Sequence, residues 1–428
     1  MDTLGINRVL RYRWWIFLIL GIAYLLVYFH RLSLSVVADD LIAEFATSAG
    51  VMGLLSSIYF YCYAGMQLPA GLLSDSIGPR RTVSAFLLVA AAGSIVFGLA
   101  PSIETAFFSR VLVGFGASMV FIPTMKILSQ WYKKAEFASM AGLLNAVGGL
   151  GVLAGTWLLG HMAQTMGWRV SFVLIGAGTL VIVVLAWLVV CDRPQDKGWP
   201  SIADIENRAA TPPAETIPLM AGLGRVLSEK HFWPVAIWFF FNCGVFFGFG
   251  GLWAGPYLMH VYGLSKAQAG GVLSMIAWAM IVGSPVMGFV SDRLLRSRKK
   301  PFIICGAVLS AEMFFLYLHP AGLSLAALYG LFFVFSVCAS AIVIVGFTTT
   351  KELFPVSMAG TSVGAVNLFP FLGGAVYMPL LGRVLDGVSQ AAPGGYALEG
   401  YTLMFLVLAV SSAAALGCAF LMKETFSK

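Results

Sequence analysis

Apolar runs long enough to cross a bilayer recur along this chain, at approximately 14–38, 50–74, 82–100, 104–130, 138–162, 168–190, 232–259, 267–290, 301–319, 323–349, 357–382 and 400–421. A helix of about 20 residues spans the roughly 30 Å of hydrocarbon. Lipid offers no partner to a backbone N–H or C=O, so such segments close their hydrogen bonds internally, as helices. The runs therefore predict an all-α membrane protein with twelve transmembrane helices, numbered here as spans 1 to 12. Composition agrees, because only 11% of residues are charged, against about 25% in soluble domains. The first run has no small-residue cleavage site and continues into polar helix, which reads as a retained anchor rather than a signal peptide.

Charge placement sets the expected orientation. With the amino terminus inside, twenty of the 26 Lys and Arg fall on cytoplasmic segments. Arg169, Lys266 and Arg383 fall outside, and Arg31, Arg110 and Lys126 lie within spans. This is the positive-inside asymmetry. The net charge of +7 therefore reports topology, and no nucleic-acid partner is expected. An even number of spans returns the carboxyl terminus to the cytoplasm. The six cysteines show no CxxC and no metal spacing, so neither a disulfide framework nor a metal is expected. There is no P-loop, nucleophile elbow or HExxH, which argues against an enzyme and against a cofactor.

Hydropathy collapses in "CDRPQDKGWPSIADIENRAATPPAETIPLMAGLGRVLSEKH". Proline, charge and small polar residues make this an interdomain cytoplasmic loop, 191–231, between six-helix bundles 1–190 and 232–428. The halves echo one another. "GLLSDSIGPRR" begins at Gly71 and "GFVSDRLLRSRKK" at Gly288, an offset of 217. "SMAG" recurs at Ser139 and Ser357 in nearly the same register. Two such echoes indicate duplication.

On these motifs the sequence resembles the major facilitator superfamily. "GLLSDSIGPRR", with Gly71, Asp75, Gly78, Arg80 and Arg81, is similar to that family's loop signature after span 2. "RVLVGFGAS", with Arg110, Gly114 and Gly116, is similar to its span 4 motif, and "WYKKAEFASMAG" and "GWRVSF" fit flanking positions. The resemblance covers essentially the whole chain. It implies two pseudo-symmetric bundles with both termini cytoplasmic and a central cavity lined by spans 1, 4, 7 and 10. It also implies gating at Gly71, Asp75, Gly78, Arg80 and Arg81, repeated at Asp292 and Arg293. There Asp75 meets the amino end of another helix and the basic pair, locking the halves until the carrier opens inward. "CDRPQDKGWPSI" resembles a stretch found in the organophosphate and anion:cation symporter branches. Two departures stand out: span 7 has no Arg or Lys, and His30 precedes Arg31 where many anion symporters carry an acid.

Within the spans one face is exceptional. Tyr24, Tyr28, Arg31 and Ser35 fall at i, i+4, i+7 and i+11 on span 1. A guanidinium in hydrocarbon costs at least ~3 kcal/mol and cannot shed its proton. Such a stripe should face water or substrate, the competing use being a snorkelling Arg31. Lys126, Asn145, Asn242, Trp253 and Asn367 are further substrate-binding candidates, the lysine with an alternative as a snorkelling group and the asparagines as helix-bridging groups. "FGGLWAGPYL" should weaken span 7 around Trp253, and "NLFPFLGG" should break span 11. Tyr59, Tyr63 and Gln67 form a stripe on span 2 that reads as packing. Embedded positive charge exceeds embedded acid, which is Glu312 on a peripheral span, so an anion is favoured. Coupling candidates are His30, a residue type that titrates near neutrality, Arg110 and Asp39.

These features predict a secondary active transporter moving a small organic anion by alternating access, as proton-coupled symport or exchange. Carboxylate, sugar acid, amino acid and phosphate ester all fit the charge. The alternatives are efflux of amphipathic drugs or siderophores, and a non-transporting membrane sensor. Expected partners are an anionic small molecule, a coupling proton or counter-anion and the lipid bilayer of a bacterial inner membrane, with the chain a monomer.

Overall fold

The structure, a computed structural model, describes residues 3–206, 219–355, 358–388, 390–392 and 395–426. Among the described residues, ten helices are long and apolar enough to cross a membrane, and Ala49–Gly65 is a shorter apolar helix. One of the ten, the 51-residue stretch Ser139–Val189, takes in spans 5 and 6. Its backbone turns at Gly167, with φ 81 and ψ 158, a conformation that glycine adopts without a Cβ clash. Among the described residues, the one departure from an all-α chain is a short antiparallel pair, Gln390–Ala392 with Gly395–Tyr396, between spans 11 and 12.

The helices break where the sequence weakens them. Span 1 runs as Thr3–Leu32, tightens into a 3₁₀ turn at Ser33–Val36 and resumes as Ala38–Glu44. The glycine-rich centre of span 7 widens into a π-helical stretch, Phe246–Trp253. Span 11 steps at Asn367, between Ala359–Val366 and Leu368–Asp386. Span 10 carries a π-turn at Val337–Ala341. Breaks of this kind place backbone carbonyls and side chains inside the bundle that a straight helix would keep to itself.

The segment after span 6 is fastened to the first half. Trp131 donates its indole N–H to the Cys191 carbonyl at 2.9 Å, and the Tyr12 hydroxyl donates to Val189 at 2.6 Å. Trp199 meets Tyr12 edge-on at 5.2 Å, and the Lys197 ammonium sits 4.4 Å above the same Tyr12 ring. Short helices at Pro194–Lys197, Ile202–Ile205 and Leu219–Ser228 punctuate this region.

The halves meet as a wedge, closed at one end. At the closed end, a Cβ on Gly53 of span 2 would stand 2.5 Å from the Met378 carbonyl oxygen and from Pro379 Cα of span 11. A Cβ on Gly160 would stand 2.8 Å from the Lys266 carbonyl. Midway along, a Cβ on Gly149 of span 5 would lie 2.6 Å from Ile281 of span 8. Seven residues further, on the same faces, Gly142 and Gly288 have nothing within 4 Å among the described residues. The same holds for Gly364 on span 11. Three charged contacts join the halves at the closed end. His260 Nε2 is 3.0 Å from Asp39, Lys266 Nζ is 2.5 Å from Asp40, and Asp386 accepts from the Ala49 and Gly50 amides at 2.8 and 2.7 Å. Asp386 thereby caps a helix amino terminus, where a carboxylate is favoured.

Candidate functional site

Arg31 lies near the last turn of Thr3–Leu32 and is only 6% exposed. Three ring faces surround its guanidinium carbon. Tyr28 is 4.3 Å away, Tyr63 5.0 Å and Phe371 5.2 Å, measured to the ring centroids. These rings come from spans 1, 2 and 11, so the box is built by both halves. Tyr63 and Phe371 touch each other at 4.4 Å. Among the described residues no carboxylate lies within salt-bridge distance of Arg31, and its Nε has no hydrogen-bond partner. The Tyr59 and Tyr63 side chains also hydrogen-bond to the guanidinium, and the Nε–H remains for an in-plane acceptor.

Of the span 1 stripe, Tyr24, Tyr28 and Arg31 lie together, and Ser35 falls in the 3₁₀ turn beyond the helix end. Tyr24 lies edge-on to Tyr28 at 5.2 Å and stacks on Phe121 of span 4 at 5.3 Å. Ser35 is buried and donates to the Leu32 carbonyl at 2.8 Å. The span 2 stripe, read as packing, contributes directly: Tyr63 supplies one wall, and Tyr59 stacks beneath it at 5.9 Å. Phe371 was visible only as part of the predicted break "NLFPFLGG". Its place over Arg31 had no local signal.

The other candidates are engaged with neighbouring helices to different degrees. Lys126 donates to the Ser74 carbonyl at 2.9 Å, near the end of the Gln67–Ser76 helix. Asn242 is buried and donates to the Ala339 carbonyl at 2.6 Å, joining span 7 to the π-turn of span 10. Trp253 is fully buried and donates to the Met378 carbonyl at 2.9 Å, joining spans 7 and 11. Asn367 bridges the halves, donating to Gln67 Oε1 at 3.2 Å. Asn145 is half-buried, one turn from Gly149.

The coupling candidates divide. The buried His30 ring lies 5.2 Å from Phe29 and 6.3 Å from Phe172, and neither ring nitrogen has a hydrogen-bond partner. Arg110 donates from both terminal nitrogens to the His30 carbonyl at 3.3 Å, supporting the helix end that carries Arg31. Asp39 is held at the closed end by His260.

Of the gating residues, Gly71 and Asp75 lie on the Gln67–Ser76 helix, and the Asp75 side chain lies outside the described residues. Gly78 has φ 92, and a Cβ there would stand 2.8 Å from Asp192 Oδ2. Asp192 also accepts from the Arg80 amide at 2.7 Å, while the Arg80 guanidinium reaches the Trp187 carbonyl and ring. Arg81 and Arg293 are exposed. The sequence pairs Asp292 with the adjacent Arg293; the structure pairs it instead with Arg298, which also binds Glu352 at 2.8 Å. A six-residue separation folds Arg298 back over the helix end, whereas the side chain next to Asp292 points away.

The profile of the Major Facilitator Superfamily matches residues 20–378 and 251–426. The hexuronate transporter of Bacillus subtilis (strain 168) is 27% identical over 392 residues, 89% of this chain and 82% of that one. The membrane sensor protein UhpC of Salmonella typhimurium is 26% identical, over 88% of this chain and 87% of that one. A solved bacterial homologue of the human lysosomal transporter Spinster, in an inward-facing and unoccupied conformation, superposes with a TM-score of 0.76. It is 20% identical over 96% of each chain, a likeness of fold. A match across nearly the whole length, with membrane-length apolar helices throughout, makes this chain an integral inner-membrane protein belonging to the Major Facilitator Superfamily.

Proposed function

We propose that this protein is a secondary transporter that carries a small organic anion by alternating access, with Arg31 as the anchor for the anion's charge. The observation that carries this reading is a buried guanidinium at the junction of the halves, boxed by aromatic faces and, among the described residues, with no carboxylate beside it. Leaving such a charge uncompensated is costly, and a ligand that neutralises it gains accordingly. Because span 7 supplies no second cation, a carboxylate suits the site better than a dianionic phosphate ester, and sugar acids head the candidates. The hexuronate transporter among the relatives points the same way. The likeness to UhpC makes a ligand-binding sensor the second reading.

The topology belongs to the proposal. Twelve crossings follow if Gly167 divides Ser139–Val189 into two, and if Ala49–Gly65 with Gln67–Ser76 makes one more. The bundles are then 1–190 and 232–428, joined by 191–231, with both termini on the basic, cytoplasmic side. The closed end lies outside, and the wedge opens inward. Coupling is assigned to a proton or a counter-anion, with no catalytic step. The test is equilibrium binding of D-glucuronate to purified protein, with uptake into proteoliposomes. Arg31→Ala should lose at least about tenfold in affinity, the scale of a charge-assisted hydrogen bond. Unchanged affinity in Arg31→Ala refutes the anchor, and binding without uptake selects the sensor.

A further inference from the structure

A carrier of anions that must return empty faces a physical problem at Arg31. The loaded site is neutralised by its substrate, but the empty site drags a bare guanidinium through the buried intermediate between the two facings. Carriers built on a bare charge are held still when empty, because an unpaired buried ion is costly. The environment of Arg31 differs from a bare pocket. Tyr63 and Phe371, one from each half, lay ring faces against the guanidinium at 5.0 and 5.2 Å. The two rings also pack against each other, with centroids 4.4 Å apart. Phe60 and Phe247 continue this aromatic seam between the halves, at 4.8 Å. Phe371 is 5% exposed, so its face meets the cation away from water, where such contacts are strongest.

We propose that Phe371, seconded by Tyr63, stands in for the substrate's negative charge when the site is empty, so that the unloaded carrier can reorient. The inference rests on Arg31 being the anion anchor. The ring's negative face attracts a bare guanidinium more than one already neutralised by a carboxylate, so the contact is worth more to the empty carrier than to the loaded one. That difference is the free energy it can apply to the empty step. The Nε of Arg31 has no hydrogen-bond partner, so that N–H remains for the anion while the faces are occupied. Phe371 is a positioning residue, acting through Arg31. The consequence is a carrier capable of net uptake, and not an obligate exchanger.

Proteoliposomes separate the two steps. Net uptake of D-glucuronate into substrate-free vesicles requires the empty return, whereas exchange against preloaded D-glucuronate bypasses it. Phe371→Leu should slow net uptake roughly threefold to thirtyfold, the range of one desolvated cation–π contact. Exchange should slow less than net uptake, because the loaded step keeps its counterion, so the ratio of net uptake to exchange falls. Phe371→Tyr keeps the ring face and should restore net uptake. Tyr63→Leu, with Tyr63→Phe as its control, should reproduce the split from the other half, should Phe371→Leu fail to fold. Equal slowing of both modes, no change in either, or a wild-type protein that only exchanges overturns the proposal. Failure of the anion reading shows itself in other arms: no saturable uptake by the wild type, or unchanged binding in Arg31→Ala.

Discussion

Gly53→Ala puts a methyl carbon into the tightest part of the seam between spans 2 and 11. The added Cβ would stand 2.5 Å from both the Met378 carbonyl oxygen and Pro379 Cα, where 3.4 Å is an ordinary contact. Both obstacles are backbone atoms, so no side-chain rotation relieves the overlap. The helices must part by about 0.9 Å at that point. Overpacking against backbone costs about 2–3 kcal/mol, and only the conformation closed at this end bears that cost. Each 1.4 kcal/mol is tenfold, so the closed-to-open ratio should fall by roughly 30- to 150-fold. Electron–electron resonance between spin labels at Thr165 and Gln268, in a background without the native cysteines, reads the closed end at spans 5 and 8, away from the clash. The variant should populate a longer distance that the parent protein lacks. Gly142→Ala and Gly364→Ala, whose Cβ positions have nothing within 4 Å among the described residues, should leave the distribution as it is. A parent-like distribution in Gly53→Ala, with parent-like uptake, refutes the claim that backbone proximity sets this closure.

Asp386→Asn removes the charge of the cap and leaves one accepting oxygen for the two amides, Ala49 and Gly50, that now bond to Oδ1 and Oδ2. It should weaken closure by about 1–3 kcal/mol, visible as a shift in the same direction in the spin-label distances; an unchanged distribution counts against the cap. Arg110→Ala removes both donors from the His30 carbonyl and leaves a cavity beside the Arg31 turn. A loss of about 2–3 kcal/mol should lower the midpoint of thermal unfolding by several degrees, with Arg110→Lys in between. Full stability in Arg110→Ala would show that the carbonyl finds another donor.

The membrane part of this architecture is written along the chain because hydrocarbon thickness is a one-dimensional rule: a run of apolar residues either reaches across or does not. The breaks in spans 7 and 11 were legible for a related reason, since glycine and proline act on their own helix. So was the Arg31 stripe, because helical periodicity says which residues share a face. What meets a face is another matter. Asn242, Trp253 and Lys126 carry the chemistry of binding groups, yet each is spent on a carbonyl of a neighbouring helix. Tyr63 looked like packing and became a wall of the Arg31 box, and Phe371, far along the chain, became its partner. The ion pairs His260–Asp39 and Lys266–Asp40 likewise join residues whose proximity no local pattern records. Sequence by itself determined the helices, their breaks and the placing of one fixed charge on a polar face. The tertiary structure alone decided which end of the wedge is shut and which rings surround that charge, because two helices choose their contacts by mutual fit, a property that neither helix carries alone.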